Sequence, residues 1–167
     1  AAYRADGDIS FFEENKDFCA KWVKYLVKYG LRPGNQLCTD DFAGHLENNL
    51  NLAIKATVGI AAYAQMLFAV GETQKSNELR EVAEGFASEI SRFGEGKTHL
   101  PLTWDSAEDT FSLKYNFAFD KILGLNLFNS DLFEKEVDYY LSKAERYGVP
   151  LENRKMYSKS DWLMWVA

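Results

Sequence analysis

The chain has 167 residues with 47% hydrophobic and 15% aromatic content, which is enough apolar material for one sizeable core and too much for a disordered segment. Its formal net charge of −6, with acidic and basic residues interspersed, argues against nucleic-acid binding, because that function requires a basic patch. The longest apolar run, Ala56 to Val70, is shorter than a bilayer span, so no membrane anchor is expected.

The first long helix is predicted from about Phe11 to Tyr29, between a favourable N-cap at Ser10 and the turn from Gly30 to Gly34. Lysines lie on or near the side opposite its apolar face, which contains Phe18, Trp22, Tyr25, Leu26 and Tyr29. This pattern is typical of a half-exposed helix.

A second helix is predicted from Asp41 to Val70, with polar groups at one end of a segment that otherwise has the composition of a buried helix. Beyond Ala56 almost no polar residue lies on any side, so this helix should be buried all round. If it begins near Asp41, its polar residues share one face at three- and four-residue spacings: Asp41, His45, Asn48 or Asn49, and Lys55. A polar stripe on a buried helix needs partners or a function.

A third helix is predicted after Gly71, with Thr73 as its N-cap and an apolar stripe of Leu79, Val82, Ala83, Phe86, Ile90 and Phe93. Alternation of half-exposed helices with a fully apolar one predicts an all-α fold in which an inner ring of helices is covered by an outer ring. An α/α toroid has this arrangement, and a plain helical bundle also satisfies the pattern.

The pattern then changes to short alternation broken by Pro101, Asp105 and Asp109. It predicts a β-hairpin or an extended loop, with strands at Leu100 to Trp104 and Thr110 to Leu113. Loops of this kind often carry function.

Helical patterns return near Phe117 to Leu123 and near Asp131 to Tyr147, and a break follows at Gly148 to Pro150. The last residues, Asp161 to Ala167, have the pattern of the first turns of another helix. We therefore expect residues 1–167 to form a single helical domain that is part of a longer protein.

Polar and aromatic residues are grouped at the starts of three predicted helices. The first group is the stripe that begins at Asp41, the second contains Lys114, Tyr115, Asn116, Asp120 and Lys121, and the third contains Tyr157, Lys159, Ser160 and Asp161. In a toroid such helix starts converge at one rim, so we expect the three groups to line one cleft.

Structural alternatives exist for several of these residues. Asp41 and Asp161 also suit the first turn of a helix, where carboxylates cap N–H groups and complement the helix dipole. His45 also suits a hydrogen-bonded core position, and Lys55 suits an ion pair with another helix. The asparagines at positions 48, 49 and 51 are harder to explain structurally, because Asn is a poor residue in a helix interior and each buried amide needs partners.

Signals for metals and nucleophiles are weak. The two histidines and two cysteines have none of the spacings of a zinc site, and no Gly-rich phosphate loop or Gly-x-Ser-x-Gly motif is present, so no metal or cofactor is expected. Cys19 and Cys38 flank a chain reversal, which leaves open either a disulfide or two reduced core cysteines.

Three ordered blocks of the sequence resemble blocks of the glutaminase A-type proteins, a family of secreted fungal and bacterial proteins. The blocks are Cys38 to His45 with Asn49 and Leu52; Leu113 to Asn116 followed by Asp120 to Leu125; and Tyr147 to Leu151 with Tyr157 to Trp162. The resemblance covers most of the chain, from about Leu37 to the last residue. It implies part of a helical toroid like that of the six-hairpin glycosidases, and a secreted, periplasmic or cell-surface location.

The resemblance also implies an activity, the hydrolysis of L-glutamine to L-glutamate and ammonia. It favours Asp41 or Asp120 as the carboxylate that orients or deprotonates water. It places the following residues in substrate binding: His45, Asn49, Lys114, Asn116, Lys159 and Asp161. The expected partners are a small-molecule substrate and the remaining domains of the longer protein, without nucleic acid or membrane.

Two other functions remain open at this point. One is a carbohydrate-active hydrolase of related architecture, in which two carboxylates act as acid and base while Trp104 and Trp162 stack on sugar rings. The other is a non-catalytic helical domain that supports its neighbours. Release of ammonia distinguishes the first function from both.

Overall fold

The chain folds as an all-α protein, as the sequence predicts. The computed structural model describes residues 2–38 and 44–167, and in these ranges it contains seven helices and one two-stranded sheet. The helices are α1 (Ala2–Asp6), α2 (Ser10–Tyr29), α3 (Leu50–Ala69), α4 (Thr73–Phe93), α5 (Phe117–Ile122), α6 (Ser130–Ser142) and α7 (Ser160–Val166). The strands β1 (Gln36–Leu37) and β2 (His45–Leu46) pair antiparallel, with Gln36 opposite Leu46 and Leu37 opposite His45.

Helix α3 forms the centre of the main core and packs against both α2 and α4. The side chains of Leu50, Ile54 and Ile60 are completely buried, which confirms the prediction that this is the most buried helix. Its length and composition would also suit a membrane span, but the core helix of a globular domain meets the same criterion. Its burial among its neighbours is the environment that an all-round apolar helix needs.

Helix α3 begins at Leu50, and the prediction of a start near Asp41 is wrong for the residues that the structure describes. Asn48 has a left-handed φ of 57°, and Asn49 is extended and caps the helix by accepting a hydrogen bond from the Leu52 amide. His45 lies in β2 and is exposed. The predicted helical stripe through Asp41, His45 and Asn49 is therefore absent, and Asp41 itself lies outside the described residues.

The segment from Leu100 to Leu113 does not pair with itself, so it forms the extended loop of the two predicted alternatives, and the β-hairpin predicted at this position is wrong. Its first half bridges to the start of α3, where Thr103 pairs with Asn49 and the Leu50 amide donates to the Leu102 carbonyl. Its second half bridges to a later loop, where Ser112 pairs with Glu152. Pairing with distant segments satisfies the backbone groups that a hairpin would have used.

Helix α6 ends at Ser142, five residues before the predicted end at Tyr147. A turn follows, in which the Glu145 and Gly148 backbones exchange two hydrogen bonds. Gly148 has a φ of +115°, and a Cβ atom there would lie 2.6 Å from Leu163 of α7. The positive φ would strain any residue with a side chain at position 148, and Leu163 would also have to shift.

Helix α2 turns an unexpected face towards the core. Phe12 and Val23 are buried, and Leu26 of the predicted face also packs against the core, whereas the other four residues of that face are exposed: Phe18, Trp22, Tyr25 and Tyr29. Cys19 and Cys38 are both free thiols, so the disulfide alternative is not realised.

Candidate functional site

Residues from all three predicted groups lie around the N-termini of α3, α5 and α7. Asn49, Asn116 and Lys159 occupy the N-cap positions of these helices. Helix α5 packs against both α3 and α7, and this arrangement brings the helix starts together. We call this region the helix-start rim, and Asn49, Asn51, Tyr115, Asn116, Lys159 and Trp162 define it.

A hydrogen-bonded pair of amides joins the first group to the second. Asn116 Nδ2 donates to Asn51 Oδ1 at 3.0 Å and to the Asn51 carbonyl at 3.2 Å. Both side chains are at least 97% buried, because Asn51 is 1% exposed and Asn116 is 3% exposed. Asn51 was noted in the sequence only as one of several asparagines, yet it is the residue that connects α3 to α5.

Ring stacking joins the second group to the third. The rings of Tyr115 and Trp162 lie 4.3 Å apart at an interplanar angle of 15°. Trp165 meets the edge of Phe119 with centroids 5.4 Å apart. These contacts seat the short helix α7 on α5 and supply a rigid aromatic wall beside the buried amides.

Three polar atoms at or near the rim are buried and have no hydrogen-bond partner among the described residues. They are Asn49 Nδ2, Asn51 Nδ2 and Ser112 Oγ. A buried polar group without a partner costs about 1–3 kcal/mol, so native proteins keep few of them, and they often mark functional positions. The two amide groups are donors, which suits the recognition of a carbonyl or carboxylate oxygen.

Lys114, a predicted substrate-binding residue, is 1% exposed. Its Nζ donates to the carbonyl oxygens of Leu100 and Ser112, each at 3.0 Å. Burial lowers the pKa of the Lys114 ammonium, and the nearby carboxylates of Glu136 and Glu152 partly oppose this effect. The ammonium thus holds the loop from Leu100 to Ser112 against α5.

Glu136 and Tyr140 on α6 complete a buried network around Lys114. The Tyr140 hydroxyl donates to Glu136 Oε2 at 2.6 Å and accepts from the Lys114 amide at 2.8 Å, while Glu136 Oε1 accepts from the Leu100 amide at 2.5 Å. Burial, followed by the Glu136 charge, raises the pKa of Tyr140 well above its usual value. The sequence pattern of this helix gives no indication of these polar contacts.

Asp120, predicted as catalytic, is 2% exposed. Its Oδ1 accepts from the Leu127 amide at 3.0 Å and its Oδ2 from the Phe128 amide at 3.5 Å. These contacts stabilise the turn after α5. They are those of a structural carboxylate, and the catalytic role of Asp120 stays a prediction.

The remaining predicted binding residues are more exposed than the buried amides of the helix-start rim. Lys159 is half-buried, with Nζ 4.6 Å from the centre of the Trp162 ring, and Asp161 is exposed in the first turn of α7. His45 is exposed on β2 and belongs to the short sheet instead of a helix. Lys55 is exposed as well.

Cys38 and Gly44, the residues on either side of positions 39–43, also lie near one another and near the third group. Cys38 Sγ donates to the Gly44 carbonyl at 3.4 Å, and Arg154 Nη2 donates to Cys38 Sγ at 3.7 Å. Arg154 forms an ion pair with the buried Glu152 carboxylate, and their hydrogen bond is the main cause of the raised pKa of Arg154. Sequence reasoning did not identify this pair.

The described residues contain no group of three or more His, Cys, Asp or Glu side chains placed to hold a metal ion. The polar chemistry of the rim therefore consists of amide donors, an aromatic wall, and lysine and aspartate side chains at its surface. Such a set can position a neutral polar or anionic substrate.

Comparison with known proteins gives one family. The sequence model described as "Glutaminase A six helical-hairpin domain" matches residues 1–167. The chain is 33% identical over 164 residues to a protein named Glutaminase A from Aspergillus oryzae, with 96% of this chain and 24% of the relative covered. It is 31% identical over 171 residues to a protein named "Probable glutaminase" from Arthroderma benhamiae, with 85% of this chain and 20% of the relative covered.

The chain thus spans between a fifth and a quarter of the length of these curated relatives. No solved structure matches it significantly.

Proposed function

The chain belongs to the glutaminase A six helical-hairpin family, and we propose that it contributes the helix-start rim to the substrate site of a secreted glutaminase-like hydrolase. The proposed reaction is hydrolysis of the side-chain amide of L-glutamine. Water adds to the amide carbon, the C–N bond breaks, and ammonia leaves with the proton that water supplied. The proposed products are L-glutamate and ammonia.

The observation that supports this proposal best is the meeting of three groups from distant parts of the sequence at one rim. Asn51 bonds Asn116, and Tyr115 stacks on Trp162. These contacts bring together the same three blocks whose sequences resemble the family. A purely structural helical domain would have no need to collect buried amide donors at one place.

The residues of the rim suit amide chemistry. Hydrogen-bond donors in a water-poor site stabilise the oxyanion that forms when water attacks a carbonyl carbon. The unpaired Nδ2 groups of Asn49 and Asn51 are donors of this type. Lys159 and Asp161, at the surface of the rim, carry the opposite charges needed to bind the α-carboxylate and α-ammonium groups of an amino acid.

We assign the water-activating carboxylate to Asp41, which lies outside the described residues. Cys38, three residues before it, contacts Arg154 in the loop that leads to α7, and Gly44, three residues after it, contacts Cys38. Asp120 is the second choice, because both of its oxygens already accept backbone hydrogen bonds. The other parts of the site come from the rest of the longer protein, so the 167-residue chain alone should not release ammonia.

The carbohydrate-active alternative receives no support from the two tryptophans proposed to stack on sugars. Trp104 donates its Nε1 hydrogen to the Leu31 carbonyl, and the Arg32 guanidinium lies 3.5 Å from the centre of its ring. One face of Trp162 is covered by Tyr115.

The test is an Asp41→Asn substitution in the longer protein, with ammonia release measured at saturating L-glutamine. Loss of a general base should lower turnover by about 10²–10⁴-fold. Asn has the size of Asp and keeps one oxygen acceptor, so a purely structural Asp41 should leave turnover nearly unchanged in the Asn variant. Asp120→Asn tests the second candidate, and normal turnover by the Asp41 variant together with lost turnover in an Asp120 variant that keeps the wild-type free energy of unfolding would transfer the role.

A further inference from the structure

Helix α2 carries five aromatic side chains on its outer side, and we call this surface the aromatic face. Their exposed fractions are 74% for Phe11, 54% for Phe18, 58% for Trp22, 55% for Tyr25 and 44% for Tyr29. Single exposed apolar residues are ordinary on a protein surface, but five large ones in a row along one helix form a contiguous patch. Such patches mark surfaces that another molecule or segment covers.

The same helix already buries a different face. Phe12 and Val23 are each 6% exposed. The Phe12 ring lies 5.5 Å from the ring of Tyr63 on α3, and Val23 belongs to the core around α3. Helix α2 therefore has two apolar sides, one that this chain covers and one that it does not. Two apolar sides are expected of a helix that lies between two others.

Helix α4, on the other flank of α3, provides the contrast within the same chain. Its apolar residues Val82, Ala83, Phe86 and Ile90 pack towards the core, and none of its large hydrophobic side chains is exposed. The outer side of α4 is thus polar. The outer side of α2, with its aromatic face, is not.

The spacing of the aromatic face fits a helix as the covering element. Phe11, Phe18, Trp22, Tyr25 and Tyr29 are separated by seven, four, three and four residues, which is the heptad spacing of a helix–helix seam. Asn15 fills the one remaining seam position. A stripe with this period runs nearly parallel to the helix axis and so remains in contact with a neighbouring helix along its length.

Neighbouring rings on the face pack against one another and do not form flat platforms. Phe18 and Trp22 meet edge-on at 60° with centroids 4.5 Å apart, and Tyr25 and Tyr29 are tilted at 46° with centroids 4.9 Å apart. Sugar rings stack on flat, open aromatic faces, so this ridged surface suits interdigitating side chains better than a polysaccharide.

We propose that a helix from another hairpin of the same six-hairpin domain packs on the aromatic face, and that sequence outside residues 1–167 contributes this helix. Six hairpins require twelve helices, and the described part of the chain has seven, of which α1, α5 and α7 have fewer than eight residues. The curated relatives are four to five times longer than the part that this chain covers. The inference rests on the chain being part of a longer protein, as proposed above, and does not depend on the reaction.

Charge specifies the partner further. Glu14, Lys21 and Lys28 are exposed and stand one heptad apart beside the seam, so its second half is flanked by positive charge. Helix partners place opposite charges at these flanking positions. The covering helix should therefore present an apolar seam with acidic residues on the side that faces Lys21 and Lys28.

Hydroxyl-radical footprinting with mass spectrometry tests the proposal without an activity assay. The oxidation rates of Phe18, Trp22 and Tyr25 are compared between the 167-residue chain and the longer protein, with buried Phe12 as the protected reference in both. We expect rapid oxidation of the three residues in the short chain and protection severalfold stronger in the longer protein. Equal reactivity in the two proteins would overturn the proposal.

A second copy of the chain is the main rival occupant, and dilution distinguishes it. Protection of the aromatic face in the 167-residue chain that grows with protein concentration would mean that a second copy covers it, and the proposal would be wrong. Protection in the longer protein that is independent of concentration supports it.

A pair of substitutions gives an independent readout. Trp22→Glu should lower the thermal midpoint of the longer protein and leave that of the 167-residue chain nearly unchanged. Ser88→Glu, at an exposed position of α4, is the matched control and should be neutral in both. An unchanged midpoint of the longer protein with Trp22→Glu would count against a covering helix.

Discussion

Gly30 gives a sharp test of how closely α2 approaches α3. This residue follows the last turn of α2 with a φ of −71° and a ψ of −32°, values that alanine adopts without strain. A Cβ atom at Gly30 would nevertheless lie 2.5 Å from the Leu26 carbonyl oxygen and 2.6 Å from the Ala56 Cβ atom. Glycine is therefore required by space at this position and not by backbone conformation.

The size of the effect follows from what would have to move. One obstructing atom belongs to the backbone of α2, and the other is a Cβ atom of the buried helix α3, so no flexible side chain can rotate away. Overpacking of this kind costs about 1–3 kcal/mol. The lower backbone entropy of the unfolded alanine chain offsets about 0.5 kcal/mol of that cost. We expect Gly30→Ala to lower the free energy of unfolding by about 2 kcal/mol.

Gly85 is the matched control, because it lies in the interior of α4 with no atom near the position of a Cβ. Gly85→Ala should raise the free energy of unfolding by about 0.5–1 kcal/mol, since alanine is the better helix residue. The same substitution should thus have opposite signs at two positions of one protein.

Urea denaturation followed by far-UV circular dichroism measures both variants. A Gly30→Ala variant as stable as the wild type would refute the close approach of α2 and α3, particularly if Gly85→Ala stabilises as expected. The double variant Gly30→Ala with Ala56→Gly removes one of the two clashes. It should show a favourable coupling between the two sites but recover only part of the loss, because the clash with Leu26 remains.

Two further predictions concern pH and the buried amides. Hydrogen bonds from Lys16 and Lys75 lower the pKa of Glu72 to about 2, below its usual 4.5. The ion cluster therefore stabilises the fold above pH 4.5, and this contribution is lost as the pH falls from 4.5 towards 2. In a plot of the urea midpoint against pH, Glu72→Gln should reduce the slope over this acidic range. Asn51→Ala removes the side-chain acceptor of the Asn116 amide, which keeps only the Asn51 carbonyl, and should lower the free energy of unfolding by about 1 kcal/mol in the same denaturation assay, whereas a loss near zero would contradict the side-chain pair.

Much of the helical framework could be predicted from residue patterns alone. The segment from Ala56 to Ala69 has no polar side to place in water, so it must be buried whatever surrounds it. Helices α4 and α5 were located within a few residues for the same reason, because apolar periodicity and the flanking glycines are local signals. The three family blocks were also recognisable before any contact was known.

The boundaries and faces that were mispredicted depend on contacts between distant residues. Asp41 and Asn49 are both good helix caps, and periodicity cannot choose between them. The choice at Asn49 follows from the pairing of His45 and Leu46 with Gln36 and Leu37, and from the bridge between Asn49 and Thr103. Similarly, α2 has two apolar sides, and only packing against α3 decides which of them this chain buries.

The candidate site shows the same division. The sequence by itself determined which residue types are present at the helix starts, because capping and amide chemistry are properties of single residues and their near neighbours. Only the tertiary structure decided that Asn51 meets Asn116, that Tyr140 and Glu136 enclose Lys114, and that Asp120 holds a turn. The sequence shows the same polar residue whether its side chain faces substrate, solvent or a backbone amide. Its role is fixed by partners that lie dozens of residues away in the chain.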